Sequence, residues 1–261
     1  VTATTTRRRR RAAPALLVAL GLLLTGLAYA AVSPGRAVAA EAGAQDVAAG
    51  RALFLANCST CHGKDGAGRG DIAPTLIGVG AAAVDFQVGT GRMPLRATGP
   101  QAPKGTVVFT PEQTRQLAAY VASLGPGPAI PDAATVDPTL GDPSRGSAIF
   151  RTNCAMCHNF AGKGGALTQG KYAPDLSGTS PTHLYEAMVT GPQSMPVFTD
   201  QALDPQSKRD VIAYLSAIRQ APDPGGLSLG SLGPVSEGLV AWVVGLPLLI
   251  GCAVWLGAKA S

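Results

Sequence analysis

Two pentapeptides, Cys58-Ser59-Thr60-Cys61-His62 and Cys154-Ala155-Met156-Cys157-His158, constrain this chain more than any other feature. Each reads C-x-x-C-H. At this spacing two cysteines can form thioethers to the vinyl groups of one porphyrin while the next histidine ligates its iron. Together the motifs use four of the five cysteines and two of the three histidines. A structural zinc site also begins with closely spaced cysteines, and a redox disulfide uses C-x-x-C. Zinc would have to join motifs 96 residues apart, across what reads as a complete domain. A dithiol would leave His62 and His158 without a task. The motifs therefore predict two covalently bound haem c groups, held through Cys58, Cys61, His62, Cys154, Cys157 and His158.

The two halves match beyond these motifs. Gly50 and Phe54 lie eight and four residues before Cys58, as Gly146 and Phe150 do before Cys154. Ala73-Pro74-Thr75-Leu76 is answered by Ala173-Pro174-Asp175-Leu176. Thr90-Gly91-Arg92-Met93-Pro94 is answered by Thr190-Gly191 and then Met195-Pro196. Thr110-Pro111 and Ala119-Tyr120-Val121 return as Asp204-Pro205 and Ala213-Tyr214-Leu215. The spacing predicts helices over Val47–Cys58 and Ser144–Cys154. A later helix in the first half starts where Thr110 caps, Pro111 fits the first turn and Gln113 completes a capping box. No segment alternates as a strand should. Gly125 to Pro143, with five prolines, reads as a semi-extended linker.

This order resembles the class I cytochrome c family, present twice, over roughly residues 44–125 and 140–220. The resemblance implies an all-α fold with long haem-wrapping loops. It implies that Gly50 and Gly146 let the last helix of each unit cross closely, with Phe54 against Tyr120 and Phe150 against Tyr214. It also implies that Pro74 and Pro174 offer carbonyls to the ligand histidines. Met93 and Met195, 31 and 37 residues after their histidines, match the family's distal iron ligands. His–Met ligation raises the reduction potential relative to bis-His ligation. Met156 lies inside its own haem motif, and Met188 sits in an apolar helical stretch. His183 is the rival ligand for the second haem; otherwise it opens a helix on the surface.

Charge informs topology here. The net +5 equals the five arginines Arg7 to Arg11; the remainder balances 16 basic against 16 acidic residues. A basic surface for nucleic acid is therefore not expected. The arginines precede a charge-free stretch from Ala12 to Gly35, long enough to span a bilayer, and belong on its cytoplasmic side. Ala37-Val38-Ala39 offers a small-residue cleavage site. A retained anchor and a cleaved signal both stay open, with length favouring the anchor. Gly238 to Ala258 carries no charge over 21 residues. As a helix it would reach about 30 Å, the thickness of the hydrocarbon core. Trp242 and Trp255 sit near its ends, as interfacial anchors do.

The expected organisation is a basic N-terminus with anchor or signal (1–40), two cytochrome domains (44–125 and 144–222) joined by a linker (126–143), and a terminal membrane helix (238–258). The fold class is thus all-α, with tandem class I cytochrome c domains between N-terminal and C-terminal transmembrane helices. The haem domains should face the extracytoplasmic side of the cell membrane.

No nucleophile–base pair, phosphate loop or carboxylate pair stands out, so the chemistry belongs to the cofactor. The anchor, the paired units and the terminal helix together resemble the dihaem cytochrome c subunit of the actinobacterial cytochrome bcc complex. So does the approach through Gly225-Gly226-Leu227, Leu232-Gly233-Pro234 and Glu237-Gly238. That resemblance implies an electron-transfer subunit of a menaquinol–cytochrome c reductase, with no catalytic site of its own. The implied partners are a cytochrome b subunit, a Rieske iron–sulfur subunit and a haem-copper oxidase. The nearest rival is the dihaem subunit of a cbb-type oxidase, which normally lacks such a terminal helix. A dihaem enzyme would need one iron with an open distal side.

Overall fold

The computed structural model describes Pro14, residues 16–26, 43–221, Leu229 and 234–260. The arginine block, Ala37-Val38-Ala39 and most of the Gly225–Gly233 approach lie outside them. The N-terminal unit contributes α1 (Leu16–Gly26), a short apolar helix. At 1.5 Å per residue it would cover about half of a hydrocarbon core. The rest of the apolar run expected to span a membrane lies outside the described residues.

The first half consists of α2 (Ala44–Asn57), the single turn α3 (Ser59–His62), α4 (Gly80–Gly89) and α5 (Pro111–Ser123). Thr110 Oγ1 accepts from the Gln113 N–H and Gln113 Oε1 accepts from the Thr110 N–H, which completes the expected capping box. α2 crosses α5 at Gly50, where a Cβ would run into the Gln116 carbonyl. That contact explains a glycine where helix propensity disfavours one. Phe54, Val84, Val88, Leu117, Tyr120 and Val121 form the first core.

The segment read as a semi-extended linker is instead docked on both halves. The Ala82 N–H donates to the Pro128 carbonyl at 3.1 Å. Asp132 caps α6 (Ala133–Val136) by accepting from the Thr135 N–H, and Asp137 caps a 3-10 turn over Pro138–Leu140. Val136 is buried in the second core. Two aspartates placed to cap short turns outweigh the extended bias of the prolines.

The second half repeats the plan with α7 (Pro143–Asn153), the single turn α8 (Ala155–His158), α9 (Pro181–Thr190) and α10 (Pro205–Gln220). Gly146 lies against the Asp210 carbonyl as Gly50 lies against that of Gln116. A small antiparallel pair, β1 (Gly165–Ala166) with β2 (Tyr172–Ala173), was not expected. Two residues per strand are too few to leave an alternating pattern. The halves meet where α4 packs on α9. Gln101 adds both of its amide bonds to the Tyr172 backbone, and the Ala102 N–H donates to Gln193 Oε1 at 3.2 Å.

The chain closes with α11 (Pro234–Val240), a π-helical turn at Ala241–Gly245 and α12 (Leu246–Ala260). As one helix, Ser236–Lys259 spans 24 residues with mean hydropathy 2.3. In the wide turn the Leu246 N–H reaches back to the Ala241 carbonyl. It lies just ahead of Pro247, which has no N–H to give, so the irregularity has a local cause.

Candidate functional site

Each C-x-x-C-H is delivered by the end of a helix. The Cys58 N–H closes α2 on the Phe54 carbonyl at 2.8 Å, and the Cys154 N–H closes α7 on that of Phe150 at 2.8 Å. The backbone then breaks at the same place and by the same amount, with φ −120 at Cys58 and φ −121 at Cys154. One further turn brings the His62 N–H to the Cys58 carbonyl and the His158 N–H to the Cys154 carbonyl. Both cysteines of each motif and its histidine therefore issue from one short turn.

The histidine rings are fixed by a second element. His62 Nδ1 lies 2.9 Å from the Pro74 carbonyl, and His158 Nδ1 lies 3.1 Å from that of Pro174. A carbonyl can only accept, so Nδ1 carries the proton and Nε2 keeps its lone pair for a metal. A bond of this kind both orients a ligand imidazole and raises its basicity. The loop that presents each proline closes on a glycine with positive φ. Gly68 and Gly164 lie so tightly against Ala73-Pro74 and Ala173-Pro174 that a Cβ would clash with backbone.

Burial sets the titration of this turn. It pushes the Cys58 thiol up to about 11, with the neighbouring Cys61 adding to the effect. The Cys154 thiol is likewise pushed up to about 11 by burial, then by Cys157. Burial also lowers the His158 pKa, opposed by the Pro174 bond, which keeps that ring neutral and able to ligate. Among the described residues, neither cysteine pair is gathered with other donors into a metal-sized cluster.

Met93 is half-buried against the first core, with its N–H on the Gln87 carbonyl at 2.9 Å. Met195 is half-buried against the second core. Met156 is 87% exposed, and Met188 is buried in the second core. The aromatic pairs are both present: Phe54–Tyr120 centroids are 5.1 Å apart and Phe150–Tyr214 centroids 5.5 Å apart. Large apolar side chains turn outward from the wrapping loops, among them Ile72, Ile77, Leu95 and Val108 in the first half and Phe160 and Val197 in the second. With thiols and a neutral imidazole beside them, these residues fit a covalently held porphyrin.

His183 does open α9, capped by Ser180, but it is not on open surface. It faces Asp85 of α4 across the seam between the halves. Asp85 and Glu186 escaped the sequence reading, and Glu186 is fully buried. A carboxylate inside the apolar run Leu184–Val189 was the one local signal that could have marked it.

The fold and the paired turns define a tandem cytochrome c. The family model Cytochrome c matches residues 47–125, and the model Cytochrome C oxidase, cbb3-type, subunit III matches 141–215. A Corynebacterium efficiens protein named cytochrome bc1 complex cytochrome c subunit is 43% identical over 95% of this chain and 89% of its own length. One of the same name from Mycobacterium bovis is 44% identical over 87% of this chain and 83% of its own length. A cbb3-type cytochrome c oxidase subunit of Rhizobium leguminosarum is 35% identical over only 50% of this chain and 44% of its own length. The chain belongs to the family of cytochrome c subunits of the cytochrome bc1 complex. It is an electron-transfer cytochrome, and its two cytochrome c domains indicate haem c binding.

Proposed function

We propose that this chain relays electrons from a Rieske iron–sulfur subunit to a haem-copper oxidase. It would do so within a menaquinol–cytochrome c reductase that also contains a cytochrome b subunit. Two haems c, each supplying a one-electron iron couple, would be bound through Cys58 and Cys61 and through Cys154 and Cys157. His62 and His158, through Nε2, and Met93 and Met195 would hold the irons. With a histidine and a methionine engaged at each iron, the chain would carry electrons and offer no open site for a substrate. Ser236–Lys259 tethers the chain to the cell membrane, with the haem domains outside the cytoplasm and Lys259 on the inner side. Where the N-terminal apolar run is retained, it forms a second tether.

The observation that carries the reading is the repeated histidine clamp, Nδ1 on a proline carbonyl in both halves. The test is spectroelectrochemistry of Met93→Leu and Met195→Leu. Each variant keeps its haem, loses half of the far-red sulfur–iron absorption and lowers one of two midpoint potentials. Unchanged spectra in both would remove the methionines from the ligand set. Carbon monoxide should not bind the reduced wild-type protein; binding would favour a dihaem enzyme. Co-purification of a cytochrome b and a Rieske protein in mild detergent separates this reading from the cbb-type oxidase. The relative of the latter kind aligns with half of this chain.

A further inference from the structure

The seam between the two haem domains holds a cluster that electron transfer does not use. His183 Nε2 lies 3.5 Å from Asp85 Oδ2 and 4.0 Å from Glu186 Oε2, and one donor atom from each residue lies within 4.8 Å of the others. Asp85 comes from α4 of the first half. His183 and Glu186 come from α9 of the second, three apart and so on one helix face. The His183 ring approaches Gly89, where a Cβ would sit 3.2 Å from Nε2, and the edge of Phe86 backs it with centroids 6.0 Å apart.

Glu186 is the second observation. Its side chain is completely buried, and neither carboxyl oxygen has a hydrogen-bond partner. Buried polar groups are almost always satisfied, so an exception of this size asks for an absent partner. The Arg92 guanidinium is stacked on the Phe86 ring and bonded to Thr90. Two carboxyl groups and an imidazole are a donor set for a divalent transition-metal ion. Bonds of about 2.0–2.2 Å in a tetrahedral site put donor atoms roughly 3.3 Å apart. At 3.5 Å the His183–Asp85 pair is close to that separation, and at 4.0 Å the His183–Glu186 pair needs to close by about 0.7 Å.

The geometry points to a zinc-type divalent metal site, Asp85–His183–Glu186 with water as fourth ligand, that clasps the two haem domains together. Because the donors come from both halves, occupancy fixes how one domain sits on the other. Calcium and magnesium, which prefer six or more oxygens, are poor matches to a site with one imidazole.

The test uses the full, haem-loaded chain in detergent, stripped with a chelator and titrated with zinc chloride in millimolar magnesium. Metal is counted against protein by mass spectrometry after desalting. Wild type retains one zinc equivalent that Asp85→Asn and His183→Gln both lose, with affinity at least 100-fold weaker in each. Zinc-edge absorption reports one imidazole among nitrogen and oxygen donors near 2.0 Å. Unchanged haem spectra confirm that the variants are folded. Equal zinc retention by wild type and Asp85→Asn would overturn the site. So would zinc bound with the same affinity by Glu186→Gln, which would leave Glu186 and Asp85 as a proton-sharing carboxyl pair.

Discussion

The two haem domains share their chemistry and differ in their carpentry. In both, a glycine-notched helix pair, an aromatic pair and a proline carbonyl hold the C-x-x-C-H turn in nearly the same geometry. The first half closes its helix crossing with apolar contacts, and Gln116, opposite Gly50, sends its side chain to the surface residue Glu112. The second half puts Asp210 at the same place. That carboxylate is fully buried, accepts from the Asp142 N–H and from Gln206, and pairs with Arg145 at 3.2 Å. Lys208 beside it is also fully buried, bonded to Asp200 and to the Leu203 carbonyl. The loop to the proline carbonyl differs too: 12 residues separate His62 from Pro74 and 16 separate His158 from Pro174, the longer one carrying β1 and β2. What the porphyrin requires is repeated; how each domain is fastened around it is not.

The largest expected effect tests what is shared. Gly50→Val and Gly146→Val each drive a side chain into a backbone carbonyl of the facing helix. Each should cost about 3 kcal/mol or more, the upper range for overpacking. Haem staining of the purified chain should show the affected half poorly loaded, equally for both variants. Tolerance of either would separate the two crossings.

The next effect breaks the symmetry. Asp210→Ala strands the Asp142 N–H and removes the carboxylate that Arg145 pairs with, and should cost about 2–3 kcal/mol in denaturant unfolding. Gln116→Ala at the matching position removes a bond to the exposed Glu112 and should change stability by less than about 0.5 kcal/mol. Equal effects would erase the proposed difference between the halves. Smaller still is Thr110→Ala, which removes half of a capping box and should cost about 1 kcal/mol in the first half alone.

The subtlest contrast is with acid. Hydrogen bonds from Thr135, Thr139 and Ser207 hold Asp132, Asp137 and Asp204 below the usual 3.8. A carboxylate with a lowered folded pKa stabilises above its unfolded pKa, and that stability is lost as pH falls through the folded value. All three caps serve the second half and its approach. Below pH 4 that half should therefore lose its sulfur–iron absorption first. Asp204→Asn, which caps without a charge, should narrow the gap between the two steps; a single step in wild type would count against it.

What was legible in the sequence was local. Cys58 to His62, the Thr110–Gln113 box and the Gly50/Phe54 spacing lie within a turn or two, where residue type and periodicity carry the signal. The ring contacts to Pro74 and Pro174 came from the resemblance to the class I cytochrome c family, since nothing local joins a histidine to a carbonyl 12 residues on. The docking of residues 126–143 was missed because five prolines spoke louder than two capping aspartates. The Asp85–His183–Glu186 cluster was invisible because Asp85 lies 98 or more residues from the other two, and only folding places α4 on α9.

An electron relay within this one chain requires two porphyrins joined to it through sulfur. Intact-mass measurement of the purified, acid-acetone-extracted chain tests that directly. The predicted result is the polypeptide plus two haems, falling to one haem in Cys154→Ser/Cys157→Ser and to one in Cys58→Ser/Cys61→Ser. A chain that keeps no haem after extraction, or only one in the wild type, would contradict it.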